Sequence, residues 1–63
     1  MSYAIVQLDA YDMFYEDPDF AFDTEAEAIK ASKLPQYAER KLPKGHKLAL
    51  FRCDEVRLLR EST

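Results

Sequence analysis

One cysteine, one glycine and one histidine in 63 residues remove much of the chemistry a small domain can carry. Cys53 alone closes no intrachain disulfide and builds no cysteine-based zinc site, and it points to a reducing compartment such as the cytosol. With Gly45 as the single glycine there is no phosphate-cradling loop and no dinucleotide fingerprint. His46 and Cys53 are the one possible Cys-His pair; seven residues apart on one strand they would lie about 23 Å from each other, too far for nucleophile and base. Their expected places are a turn-flanking surface for His46 and a buried, small apolar site for Cys53. Ser2, Ser32 and Ser62 stand without a motif. No apolar run approaches the roughly 18 residues needed to span a bilayer, and Met1 to Asp9 has neither the basic start nor the apolar stretch of a secretion signal. The expectation is a cytoplasmic protein that is not an enzyme and has no cofactor, metal or membrane partner.

Residues 1–63 are too few for more than a single domain, and a domain of about 60 residues buries only about 60% of the surface its unfolded chain exposes. The hydrophobic fraction of 48% nevertheless argues for a folded chain. Charge is unevenly spread. Residues 1–29 hold eight acids and no base, giving −8; the remainder holds nine bases against four acids, giving +5 and the net −3. Such asymmetry is a hint about partners.

Tyr3 to Leu8 reads as a strand with apolar groups on both faces, and Met13 to Glu16 as a short second strand. Asp17-Pro18-Asp19 breaks the pattern. Thr24-Glu25-Ala26-Glu27 is a capping box, in which the Thr24 hydroxyl accepts from the Glu27 N–H and the Glu27 carboxylate reaches back to the Thr24 N–H. It predicts a helix from about Glu25 to Lys33, with Ala26, Ile29, Ala31 and Leu34 as its apolar stripe and Ala28 alongside. Pro35 ends that helix and can open a second short one before Pro43-Lys44-Gly45. His46 to Cys53 alternates as a strand. Val56 to Arg60 reads either as a strand completing a hairpin around Asp54 or as a helix capped by Asp54, the strand fitting slightly better. The expected fold class is α+β: a small antiparallel three- to four-stranded sheet with one or two short helices on one face, in the order β-β-α-(α)-β-β.

The segment Asp9 to Asp23, DAYDMFYEDPDFAFD, concentrates six acids and five aromatics without a base. Phe14, Phe20 and Phe22 are the expected core members. Tyr11 and Tyr15 are expected to face solvent, and aromatic anchors within a charged rim are a recurrent interface composition. The candidate partner-binding residues are therefore Asp9, Tyr11, Asp12, Tyr15, Glu16, Asp17 and Asp19. Asp17, Asp19, Asp23 and Glu25 offer hard oxygen ligands, but the calcium-loop spacing with its central glycine is absent, and a solvated acidic face is the plainer reading. In the basic half, Lys41, Lys44, Lys47, Arg52 and Arg57 are the groups that would contact a nucleic acid. An acidic chain repels a polyanion at long range, however, and mutual attraction of the two halves within the fold is the more economical role.

Taken with its length, the strand SYAIVQLD, the helix start FDTEAEAIKAS and the strand KLALFRCDEV, the chain resembles the small, acidic proteins encoded by bacteriophages and other mobile elements, among them anti-CRISPR inhibitors. The resemblance implies a non-enzymatic inhibitor in the host cytoplasm. It would bind a host protein or ribonucleoprotein complex and block DNA access, its carboxylates standing where phosphates would sit and no nucleic acid being bound directly. The Pro-Asp-Phe sequence and the Asp-Thr-x-x-Glu-Ala helix start are also similar to the β-β-α-β domain of certain antitoxins, which implies a small regulatory domain using the basic half, as a dimer with paired sheet edges. The chain itself is expected to be a monomer or a homodimer.

Overall fold

The computed structural model describes residues 2–62. Five elements follow one another: β1 (Ala4–Leu8), α1 (Glu25–Ser32), α2 (Pro35–Ala38), β2 (Lys47–Arg52) and β3 (Glu55–Glu61). The strands form one antiparallel sheet of order β1-β2-β3, with both helices on one face, an α+β arrangement. Side chains alternate between faces along a strand, and the register then assigns them. Ala4, Val6, Leu8, Ala49, Phe51, Val56 and Leu58 share one face, while Ile5, Gln7, Leu48, Leu50 and Arg57 share the helix face. The first face holds the core cluster of Ala4, Val6, Leu8 and Ala49, with Phe51 packed against it.

The expected second strand does not form. Asp9 turns the chain immediately after β1: its carboxylate accepts from the N–H of Tyr11 at 2.8 Å and of Met13 at 3.1 Å, and Asp12 adopts φ 62°. An Asx-type turn of this kind tolerates the left-handed conformation at an aspartate. The chain then meets β1 at one isolated bridge, Leu8 with Phe14, and meets it again only at Tyr3 with Phe22. Pro18 lies between these bridges and has no N–H for a ladder. Residues 9–23 thus arch along the outer edge of β1 and touch it at both ends.

Thr24 caps α1 as expected, its Oγ1 accepting from the Glu27 N–H at 3.1 Å. The reciprocal arm differs, because the Glu27 carboxylate accepts from the N–H of Asp23 at 3.4 Å rather than from that of Thr24. The inward stripe differs too. Ala28 is the buried residue of α1, with Ile29 and Ala31 of the expected stripe partly buried beside Glu25 and Ser32, whereas Ala26 and Leu34 are exposed. Glu25 on this face pairs with Arg57 of β3. Pro35 occupies the first turn of α2, where its missing N–H costs nothing.

Residues 55–61 are a strand, joined to β2 by the two-residue turn Cys53-Asp54. Cys53 takes φ 51° at the tip and is exposed, which corrects its expected burial: pairing of Arg52 with Glu55 leaves it in the turn rather than on the strand. Gly45, at φ 86°, is required where it stands, since a Cβ there would lie 2.9 Å from the Ala10 Cβ.

Candidate binding surface

Residues 9–19 present an ordered turn carrying bare aromatics. Backbone bonds hold it from both sides: the Asp9 N–H donates to Met13 O at 2.9 Å and the Tyr15 N–H to Gln7 O at 2.9 Å. From this frame Tyr11 projects with 86% of its surface exposed, Met13 with 64% and Tyr15 with 61%. The Tyr11 side chain has no hydrogen bond or ring partner among the described residues, and Tyr15 touches His46 edge-on, with ring centroids 5.2 Å apart. Met13 escaped the sequence reading of the surface, although its alternation with the two tyrosines was the signal that marked it.

The seven residues expected to bind a partner divide into two groups. Asp9, half-buried, is a structural cap whose carboxylate is occupied by two backbone N–H groups. Asp12 pairs with Lys47, and Glu16 lies 3.6 Å from Arg40. The hydrogen bond from Lys47 to Asp12 pushes the lysine amine above its ordinary value of 10.5. Tyr11, Tyr15, Asp17 and Asp19 remain exposed, and neither Asp17 nor Asp19 has a side-chain partner among the described residues. The available surface is therefore smaller than the acidic run suggested.

The expected core phenylalanines are lids rather than core. The Phe14 and Phe20 rings flank Phe51, with centroid separations of 4.9 and 5.6 Å, yet they are 43% and 38% exposed. An irregular segment covers that face, with no second layer above it, so rings resting on the sheet keep one side in water. Phe22 is partly buried at its bridge with Tyr3.

The basic residues are largely engaged within the fold. Lys47 holds Asp12, Arg57 holds Glu25, and Arg52 lies 5.5 Å above the Tyr3 ring. Lys41 and Lys44 stand exposed in the connection between α2 and β2. The ion pairs among the described residues, Asp12–Lys47, Glu16–Arg40 and Glu25–Arg57, all join the acidic first half of the chain to the basic second half.

On the helix face, Gln7 is 6% exposed and bridges His46 and Arg40. Its Nε2 lies 3.0 Å from His46 Nδ1, and its Oε1 accepts from Arg40 at 3.4 Å. Arg60 donates to the carbonyls of Tyr37 at 2.7 Å and Arg40 at 2.6 Å. This network ties the end of α2 and the following chain to the sheet. His46 and Cys53 flank opposite ends of β2.

Among the described residues, no group of three or more His, Cys, Asp or Glu side chains is arranged to hold a metal ion. No described helix is long and apolar enough to cross a membrane. No protein-family model, curated protein or solved structure matches the chain.

Proposed function

We propose that this protein acts by stoichiometric binding rather than catalysis, as an inhibitor of the anti-CRISPR kind found in phages and other mobile elements. In this reading it works in the host cytoplasm. Its turn of residues 11–19 docks on a cationic, nucleic-acid-binding surface of a host protein or ribonucleoprotein complex and blocks DNA access. The observation that carries this is the ordered turn on which Tyr11, Met13 and Tyr15 stand exposed beside the unpartnered carboxylates of Asp17 and Asp19. Preorganisation matters because binding through a loose segment costs the free energy of ordering its backbone, and a turn already pinned to β1 avoids that part. Tyrosines are frequent hot spots, and neighbouring carboxylates steer encounter with a cationic groove.

The test is capture of the target from a host lysate on immobilised protein, followed by competition with duplex DNA. A nucleic-acid-handling complex that is retained, and released by duplex DNA, supports the proposal. The variant Tyr11→Ala/Tyr15→Ala/Asp17→Lys/Asp19→Lys should weaken retention on the order of 100-fold, as expected for two lost hot spots of about 1.4 kcal/mol each. Retention unaffected by the four substitutions overturns it. So does binding of duplex DNA by the isolated protein with a steep salt dependence, which would transfer the function to the basic residues.

A further inference from the structure

The two edges of the sheet are finished differently. The outer edge of β1 is closed at both ends by the bridges to Phe14 and Phe22. β3 has β2 on one side and no strand on the other among the described residues. An open edge is a template for another strand, and proteins commonly blunt it with charged side chains, lysine above all, with proline or with a bulge. β3 contains neither lysine nor proline, and its charged residues Glu55, Arg57, Arg60 and Glu61 are of both signs, so they can pair across an antiparallel seam. Its irregularity, opposite Leu48 and Ala49, lies toward the far end and leaves Glu55–Leu58 in regular register.

The side chains on this stretch alternate in kind. Val56 and Leu58, 49% and 50% exposed, extend the apolar face that carries Ala49 and Phe51. Glu55 and Arg57 project from the helix face, and the Glu55 carboxylate has no partner among the described residues.

We propose that β3 pairs antiparallel with β3 of a second copy about a two-fold axis at Arg57, giving one continuous six-stranded sheet. A two-fold interface must be self-complementary, and the order Val56-Arg57-Leu58 meets that condition. Val56 stands opposite the second copy's Leu58, and Leu58 opposite its Val56, so four half-exposed apolar side chains close on one another. On the helix face the two Arg57 side chains stand opposite each other, a like-charge contact that must be offset by neighbouring carboxylates. Each is already paired with Glu25 of its own chain and lies diagonal to the second copy's Glu55, within reach of long side chains.

Sedimentation equilibrium of the full chain tests this. The expected species has twice the 7.3 kDa chain mass and dissociates on dilution. Leu58→Lys, at a half-exposed position, should raise the dissociation constant at least tenfold without changing the circular dichroism spectrum. As a second readout, Arg57→Cys in a Cys53→Ser background should form an intermolecular disulfide on mild oxidation faster than Lys30→Cys in the same background, because a residue on the axis meets its own counterpart. A wild-type chain that stays monomeric at millimolar concentration overturns the proposal. So does a dimer indifferent to Leu58→Lys with no faster cross-linking at position 57.

Discussion

The two faces of the sheet are covered by different means. On the helix face the cover is regular: Leu48 and Leu50 of the sheet and Ala28 of α1 are buried there, and directional polar bonds add to that packing, Arg57 pairing with Glu25 of α1, Arg60 donating to two carbonyls at the end of α2, and Gln7 joining His46 to Arg40. On the other face the cover is an irregular segment whose attachment is apolar, two phenylalanine rings against Phe51, with backbone bridges to β1 at either end. The contrast shows why exposed aromatics gather on one side. A helix turns its polar stripe outward, whereas an arching segment with rings at successive positions leaves part of each ring, and most of Tyr11, to solvent.

Removing the ring that anchors the irregular cover should have the largest effect. Phe51→Ala is expected to lower stability by about 3 kcal/mol, read from the urea midpoint. The exchange protection of the Asp9 and Tyr15 amides should fall well before that of Ala28 in α1. If those amides stay protected while stability falls, the backbone bridges and not the phenylalanine rings hold the segment. The opposite face is broken by Arg60→Met, which keeps the apolar stem but leaves the Tyr37 and Arg40 carbonyls without their donor. The expected loss is about 2 kcal/mol, with exchange in α2 accelerated and the amides of residues 9–15 unchanged. Equal acceleration on both faces would show that they unfold as one unit.

The smallest effect is expected at the pair that ties the turn to β2. The Lys47 amine is raised above 10.5 by its hydrogen bond to Asp12. A raised lysine contributes stability that is fully present below the unfolded-state value and is lost as pH climbs through the folded-state value. The difference in urea midpoint between wild type and Lys47→Met should therefore stay constant from neutral pH to about 10.5 and shrink above it. Added salt should reduce it throughout, since both side chains face solvent. A difference that persists at high pH would assign the effect to the packing of the lysine stem.

Much of the fold was readable along the chain because its signals are local. The Thr24–Glu27 box marks the start of α1, Pro35 marks α2, and alternation marks β1 and β2. The readings that failed depend on groups distant in sequence. The apolar stripe of α1 is right at Ile29 and Ala31 and wrong at Ala26 and Leu34, because the sheet takes Ala28 as the centre of the buried face. Met13–Glu16 has the pattern of a strand, but the Asp9 carboxylate competes for the Tyr11 and Met13 N–H groups and permits a single bridge. The candidate surface was overestimated for the same reason: Asp9, Asp12 and Glu16 look alike as acids in a run, and only their partners separate them from Asp17 and Asp19.

By itself, then, the sequence determined an α+β composition of elements, their caps and the separation of −8 from +5, since propensity, capping and formal charge depend on near neighbours alone. Tertiary structure decided which acids remain available to a partner, which aromatics rest on the sheet, and which edge stays open. Those outcomes follow from the register of three strands, which brings together residues up to 47 positions apart, such as Ala4 and Phe51.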